Sequence, residues 1–180
     1  MIQRIQSFWL VLAACCIALC FMFPIAQYRF DLPETGQQVE AQLDLLAKSN
    51  PEMMNQIMGG EPVVKYSQRD SGFQTWPVMA LAALVGVAAL VCIFLYRNRV
   101  RQMRLVAVTF LLNVVYVFLI FFWAVDAYSR NLMQYFHVDS QQVTWYVGAY
   151  APIVSIVLLV LAHRGIKRDE AKVRAADRLR

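Results

Sequence analysis

The fold of this chain is decided by residues 76–96, which read WPVMALAALVGVAALVCIFLY. These 21 residues contain no Asp, Glu, Lys or Arg. An α-helix rises about 1.5 Å per residue, so about 20 apolar residues cross a hydrocarbon core of about 30 Å. A buried helix of a soluble protein rarely stays apolar over this length. The stretch therefore predicts a transmembrane helix.

Three further apolar stretches lie on either side of it, at about residues 7–26, 105–126 and 143–163. The whole chain has 59% hydrophobic and 16% charged residues, whereas soluble domains have about 45–50% and about 25%. With the central stretch this makes four crossings. We therefore predict an all-α membrane protein, a bundle of four transmembrane helices that forms one integral membrane domain over residues 1–180.

The first stretch also has features of a cleaved leader. Leu12-Ala13-Ala14-Cys15 has the form of a bacterial lipoprotein cleavage box, and Arg4 supplies the positive start of a signal peptide. However, the residues after Cys15 stay apolar to Phe23 and Ile25, where a lipoprotein turns polar. We expect an uncleaved membrane anchor.

The positions of Lys and Arg predict the orientation, because cytoplasmic loops carry the excess of positive charge. The tail, residues 164–180, has seven basic residues, and the loop 27–75 has seven acidic residues against four basic ones. The short loop 97–104 contains four basic residues, Arg97, Arg99, Arg101 and Arg104. We therefore predict a bacterial inner (cytoplasmic) membrane protein with both termini cytoplasmic and the loop 27–75 periplasmic.

Apolar spacing in the periplasmic loop predicts two short amphipathic helices broken at Pro51. The first is indicated by i, i+4, i+7 and i+8 spacing at Val39, Leu43, Leu46 and Ala47. The second is rich in methionine, at Met53, Met54 and Met58. A partner surface or a soft-metal site is one interpretation. We favour a helix that lies on the lipid or caps the bundle, since adjacent Met53 and Met54 point about 100° apart. A strand at 63–67 paired with 28–30 is a weaker expectation.

The remaining loop and the tail have simpler interpretations. His137 and Asp139 lie in the second outer loop, residues 126–142, and two such residues do not make a metal site. We expect a solvated loop there. The tail is expected to continue the fourth helix into the cytoplasm.

Polar residues inside the spans are few. Thr109, Asn113 and Tyr116 share one face of the third helix at i, i+4 and i+7. A polar path is conceivable, but residues of this kind usually form hydrogen bonds between helices in lipid. We predict an interhelical polar contact at these three positions.

No motif predicts catalysis, a cofactor or a metal. A four-helix thiol oxidase needs exposed cysteine pairs, and the outer loops contain no cysteine. The basic segments adjoin membrane spans, so they indicate contact with lipid or a partner protein and not with nucleic acid. The candidates for this contact are Arg97, Arg99, Arg101, Arg104, Arg168 and Arg178.

Three stretches carry a family resemblance: MIQRIQ at residues 1–6, IFLYRNRVRQMRL at 93–105, and the end of the chain, YAPIV at 150–154 with RGIKRDE at 164–170 and DRLR at 177–180. On these residues the chain resembles an uncharacterised family of four-helix membrane proteins of the Bacteroidota, known as a domain of unknown function. The resemblance implies the inner-membrane location and a retained first span. It implies no activity.

Two functions follow from these features. The first is a non-catalytic accessory or scaffold subunit of a membrane assembly, whose partners are the lipid bilayer and other inner-membrane proteins or a second copy of the chain. The alternative is a small-solute or lipid transporter that acts as an oligomer, with Asn113 and Tyr116 lining its cavity.

Overall fold

The computed structural model describes the backbone of residues 2–32, 36–46, 56–58, 61–66, 68, 73–95, 98–138 and 140–178. Three helical stretches are long and apolar enough to cross a membrane, Trp76–Phe94, Arg99–Phe136 and Val147–Lys172. A shorter apolar stretch, Ser7–Met22, precedes them. The chain is therefore mostly helical and has the make-up of a multi-pass membrane protein.

The helices have the following bounds: α1 Ile2–Met22, α2 Trp76–Phe94, α3 Arg99–Phe118, α4 Val125–Phe136 and α5 Val147–Arg178. Helix α1 ends four residues before the expected end of the first span. Helix α5 begins four residues after the expected start of the fourth span, and its run to Arg178 confirms that the tail continues this helix.

A five-stranded sheet corrects the all-α expectation. Its strands are β1 Ala26–Asp31, β2 Gln38–Leu43, β3 Gln56–Met58, β4 Glu61–Tyr66 and β5 Gln142–Trp145. They lie in the order β3-β4-β2-β1-β5. Strand β1 pairs antiparallel with both β2 and β5, while β2 runs parallel to β4. Four of these strands lie in the predicted periplasmic loop or begin just before it, and the fifth, β5, comes from far along the chain.

Strand β2 shows why the helix predicted from Val39 is wrong. Val39, Ala41 and Leu43 are buried, and the polar residues between them are less so. This is the two-residue alternation of a strand with one buried face. Val39 and Leu43 fit both a four-residue helical spacing and a two-residue strand spacing, and burial in the sheet decides between them.

The rest of that loop differs from expectation as well. Gln56–Met58 is a strand, so the second predicted helix is wrong at its end. Ala47, from the first predicted helix, and Met53 and Met54, from the second, lie outside the described residues. The strands expected at 63–67 and 28–30 both exist, as β4, which is described to Tyr66, and as β1. The neighbours of β4 are β2 and β3, and the predicted pairing with residues 28–30 is wrong.

The helix that begins with α3 continues beyond residue 126, where the third span was expected to end. A π-helical segment, Leu119–Ala124, joins it to α4, so the helix runs from Arg99 to Phe136 without a break. Its 38 residues span about 57 Å. The solvated loop expected at 126–142 is wrong as far as Phe136, because these residues form α4 and its Tyr128 and Leu132 are buried.

The helix ends at His137, which adopts a left-handed conformation with φ 52°. Polar side chains are tolerated in this region and commonly terminate helices. The side chain of His137 is exposed, and Asp139 lies outside the described residues. The helix is thus closed by local backbone geometry two turns beyond the outward-facing Asp126–Arg130 ion pair.

The chain divides into two compact units. The first comprises residues 1–19, 80–117 and 151–180, and the second comprises residues 20–79 and 118–150. In the first unit, four helices contribute to one apolar core made of Leu10, Ala13, Cys92, Val106, Leu159, Ala162 and Ile166. In the second unit, aromatic side chains pack α4 on the sheet. The ring centroids of Tyr28 and Phe73 each lie 5.3 Å from that of Tyr128.

The helix surfaces are more apolar than those of soluble proteins. Phe94 is 77% exposed, Leu111 is 62% exposed and Val157 is 56% exposed. On the long helix, the side chains exposed between Ala107 and Trp123 are all apolar, with Arg104 before them and Asp126 after them. This band is about 26 Å long, close to the hydrocarbon core of a bilayer at about 30 Å. Contiguous exposed apolar surface of this size indicates a lipid-facing protein.

Candidate functional site

One of the predicted polar residues joins two helices. Asn113 Nδ2, on α3, donates to the carbonyl of Pro152 on α5 at 3.2 Å and also to Ser155 Oγ. Ser155 Oγ itself donates to the Pro152 carbonyl at 2.8 Å. Asn113 and Ser155 are both fully buried. The geometry is an interhelical hydrogen-bond cluster within the first unit.

The acceptor at the centre of this cluster is a backbone carbonyl inside α5. Pro152 has no N–H, so the carbonyl that loses its helical donor is that of Gly148, four residues earlier. The carbonyl of Pro152 itself accepts two side-chain donors, and the one from Asn113 joins α3 to α5. Asn113 Oδ1 has no hydrogen-bond partner among the described residues. An amide oxygen left unpaired in a buried site lowers the net gain from the contact.

Thr109 does not share the hydrogen bonds that Asn113 makes. Thr109 Oγ1 donates to the carbonyl of Leu105 on its own helix at 2.8 Å and lies 3.8 Å from Cys92 Sγ on α2. Tyr116 is fully buried. The three residues therefore share a buried face of α3, but Thr109 faces α2 while Asn113 contacts α5.

The basic candidates fall into two groups. Arg99 Nη1 donates to the backbone carbonyl of Asp169 at 3.4 Å, so this side chain links the start of α3 to the cytoplasmic part predicted for α5. Arg101, Arg104 and Arg168 are exposed. Arg97 and the side chain of Arg178 lie outside the described part of the chain.

Strand β5 is an edge of the sheet. Among the described strands it pairs only with β1, and its four side chains are all exposed. The N–H of Tyr146 donates to the carbonyl of Ile25 at 3.1 Å, which extends the β1–β5 ladder by one residue. Antiparallel ladders bond at alternate residues. Thr144 therefore bonds to β1, whereas the backbone N–H and C=O groups of Val143 and Trp145 point to the free edge.

The edge strand is held at both ends. Gln141 Nε2 donates to Ser129 Oγ on α4, and the Tyr146 hydroxyl donates to Gln27 Oε1 on β1. Natural proteins usually protect a free edge with charge, proline or a bulge, and residues 142–145 contain neither charged residues nor proline. A rigidly held, unprotected edge is suited to receive another strand.

A family model described as a domain of unknown function, DUF4293, matches residues 2–179. The chain belongs to this family. The resemblance found in the sequence is confirmed as membership of a domain of unknown function. The DUF4293 match covers the strands as well as the helices. No curated protein and no solved structure matches the chain.

Several residues of this DUF4293 chain were not found from the sequence. Ser155 could have been found from the sequence, because it is a polar residue three positions after Pro152 in an otherwise apolar helix. Gln102 Nε2 donates to the carbonyl of Cys92 at 2.9 Å and is buried, although it stands between arginines in the sequence. The β5 edge was hidden because Val143 and Trp145 read as the start of an apolar span.

Among the described residues, no group of three or more His, Cys, Asp or Glu side chains could hold a metal ion. The four cysteines form no disulfide, and Cys15 is exposed while Cys20 and Cys92 are buried. The arrangement offers two features for contact with other molecules, the free β5 edge and the exposed cations at the ends of α3 and α5.

Proposed function

We propose that this protein is a non-catalytic accessory or scaffold subunit of a bacterial inner-membrane assembly. It crosses the membrane four times, with α1, α2, the long helix and α5 as spans and both termini in the cytoplasm. The apolar exposed band supports lipid embedding, and the concentration of arginines in 97–104 and in the tail supports the orientation. The sheet then lies on the periplasmic side.

The observation that carries the accessory role is the free β5 edge. Its outward backbone groups and the exposed side chains of Val143 and Trp145 form a surface that a strand of another protein completes. Main-chain hydrogen bonds supply affinity in such pairings, and the alternate side chains supply specificity. A multi-pass protein that presents this edge outside the membrane can hold a partner beside the bilayer.

The transport alternative is less well supported. It needs Asn113 and Tyr116 to line an open path. Both side chains are fully buried, and Asn113 uses its amide donors to bind α5. Breaking that contact to admit a solute would leave several polar groups unpaired in an apolar environment, which is costly.

Blocking the β5 edge tests the accessory role. A photocrosslinking residue in place of Gln142, whose side chain is exposed, is expected to give an adduct of discrete mass in native membranes. Val143→Pro removes one outward N–H without breaking the ladder to β1, a position that edge strands tolerate. We expect the adduct yield to fall about fivefold or more, because one edge hydrogen bond is lost.

The matched control is Val143→Thr, which keeps the N–H and the β-branched shape. It should give the same adduct as the unchanged chain. The proposal is contradicted if the adduct persists in Val143→Pro, or if the crosslinked mass contains only copies of this chain. Unchanged thermal unfolding of Val143→Pro in detergent would show that the sheet itself is intact.

A further inference from the structure

A groove runs between α3 and α5 in the first unit. It has a volume of about 290 Å³. Helix α3 supplies Val106, Ala107 and Phe110, and helix α5 supplies Val160, His163 and Arg164. Apart from the last two, these side chains offer only hydrocarbon. The groove is therefore a place for an apolar chain with a polar end.

The order of residues along the groove places positive charge at one of its ends. The start of α3 lies beside the later part of α5, as the Arg99–Asp169 contact shows, while Asn113 lies beside Pro152. Towards Asn113 the groove is lined by Phe110 and Val160, and at its other end stands Arg164.

More cations follow at that end. Arg104 lies one turn before Ala107 on the same face of α3, and Lys167 and Arg168 lie one turn after Arg164 on α5. All of these cationic side chains are exposed. His163 adds an imidazole whose Nδ1 has no hydrogen-bond partner among the described residues. Along the groove, hydrocarbon side chains are thus followed by the His163 imidazole and then by a cluster of positively charged side chains.

We propose that this groove binds an anionic phospholipid. One acyl chain lies between Ala107, Phe110 and Val160, and the phosphate of the headgroup is bound by Arg164. Basic pockets between transmembrane helices recognise anionic headgroups, and a guanidinium pairs with phosphate through two parallel hydrogen bonds. The inference rests on the membrane placement proposed above, but it is independent of the β5 edge.

The size of the groove favours a lipid over a protein helix. Its lining residues cover about one turn of each helix, roughly 6–8 Å. A helix that docks in a groove uses anchors at i, i+3, i+4 and i+7, which extend over about two turns. An acyl chain can lie with only its first methylene groups in the shorter groove and with the rest of its length in the bilayer. The occupant is therefore a lipid and not a second copy of the chain.

Lipid binding to the full-length protein tests the inference. Native mass spectrometry of the detergent-purified chain, titrated with phosphatidylglycerol or with phosphatidylcholine, should show one phosphatidylglycerol that binds before any others. Arg164→Gln is expected to weaken this first binding about fivefold, since one cation at the membrane surface is lost. Ala107→Phe fills the groove and should abolish this first phosphatidylglycerol site.

Two control variants change residues that lie near the groove but do not line it. Val108→Phe adds the same ring at an exposed position that does not line it, and Lys172→Gln removes a cation further along α5. Both should bind phosphatidylglycerol as the unchanged chain does. The inference is overturned if the two lipids bind alike, if Ala107→Phe binds normally, or if Lys172→Gln weakens binding as much as Arg164→Gln.

A dimer that dissociates in Ala107→Phe would also overturn it, because a second copy would then be the occupant. Failure of lipid binding is separable from failure of the accessory role. Lipid binding is measured by native mass spectrometry and the accessory role by the adduct at Gln142, so either result can fail while the other holds.

Discussion

Replacing Gly148 with alanine is expected to lower the free energy of unfolding by about 3 kcal/mol, at the upper end of the usual cost of overpacking. Gly148 is the second residue of α5, and its N–H donates to the carbonyl of Pro24 at 3.1 Å. A Cβ at this position would lie 2.5 Å from that same oxygen and 2.8 Å from the carbonyl oxygen of Phe23. Both neighbours are backbone atoms, so no side-chain rotation relieves the overlap.

The measurement is thermal unfolding of the full-length protein in detergent, for which Tm should fall by about 5–10 °C. Gly86→Ala is the matched control, because its added Cβ would lie 3.5 Å from Ile17 Cγ2, an ordinary van der Waals contact. Alanine also has the higher helix propensity. We therefore expect Gly86→Ala to unfold at the same temperature or higher. A Gly148→Ala protein as stable as Gly86→Ala would contradict the packing described here.

Tyr28→Ala is expected to cost about 3–5 kcal/mol, the range for removing a large buried aromatic side chain. Tyr28 is fully buried in β1, and its ring packs edge-to-face on Tyr128 at 5.3 Å. Its hydroxyl donates to the carbonyl of Val125 at 2.9 Å, where the π-helical segment meets α4. Burial raises the pKa of Tyr28, and Asp126 raises it further, so the hydroxyl stays protonated and able to donate.

Tyr28→Phe separates the hydroxyl from the ring. It keeps the packing and removes one hydrogen bond, so we expect a loss of about 1 kcal/mol. Chemical denaturation followed by near-ultraviolet circular dichroism would measure both variants. If Tyr28→Phe destabilises the protein as much as Tyr28→Ala, the hydroxyl carries the stability and the ring packing does not, contrary to this structure.

The membrane helices could be predicted because lipid selects one simple pattern. Residues 76–96 are apolar on every face, and no tertiary contact is needed to recognise such a helix. The face shared by Thr109, Asn113 and Tyr116 followed from helical spacing alone. The partners of Asn113 could not be predicted, because Ser155 and the Pro152 carbonyl come from a helix about forty residues away in sequence.

Strands β2 and β5 were missed for two physical reasons. Val39 and Leu43 satisfy both periodicities, although the alternation Val39, Ala41, Leu43 favoured a strand. Strand β5 is apolar and adjoins an apolar helix, so the boundary at Tyr146 carries no breaker residue. The pairing of β1 with a strand more than a hundred residues later depends on tertiary contacts that local patterns do not encode.

The long helix was missed for a different reason. Polar residues after Asp126 suggested a loop, but Val125, Tyr128 and Leu132 keep an apolar stripe on one side. An amphipathic helix requires only such a stripe, with its charged residues on the opposite face. The change from an apolar to an amphipathic pattern therefore does not mark the end of the helix.

The sidedness of single cysteines tests the four-crossing topology most directly. In a chain with its four native cysteines replaced by alanine, Gln38→Cys, Asn98→Cys and Lys172→Cys would each be labelled with a membrane-impermeant maleimide, since all three positions are exposed. An epitope tag at the N-terminus would report on α1. The topology predicts labelling of Gln38→Cys from the periplasmic side, and access to the tag and the other two sites only after lysis. A tag or a Lys172→Cys site accessible from the same side as Gln38→Cys would contradict it.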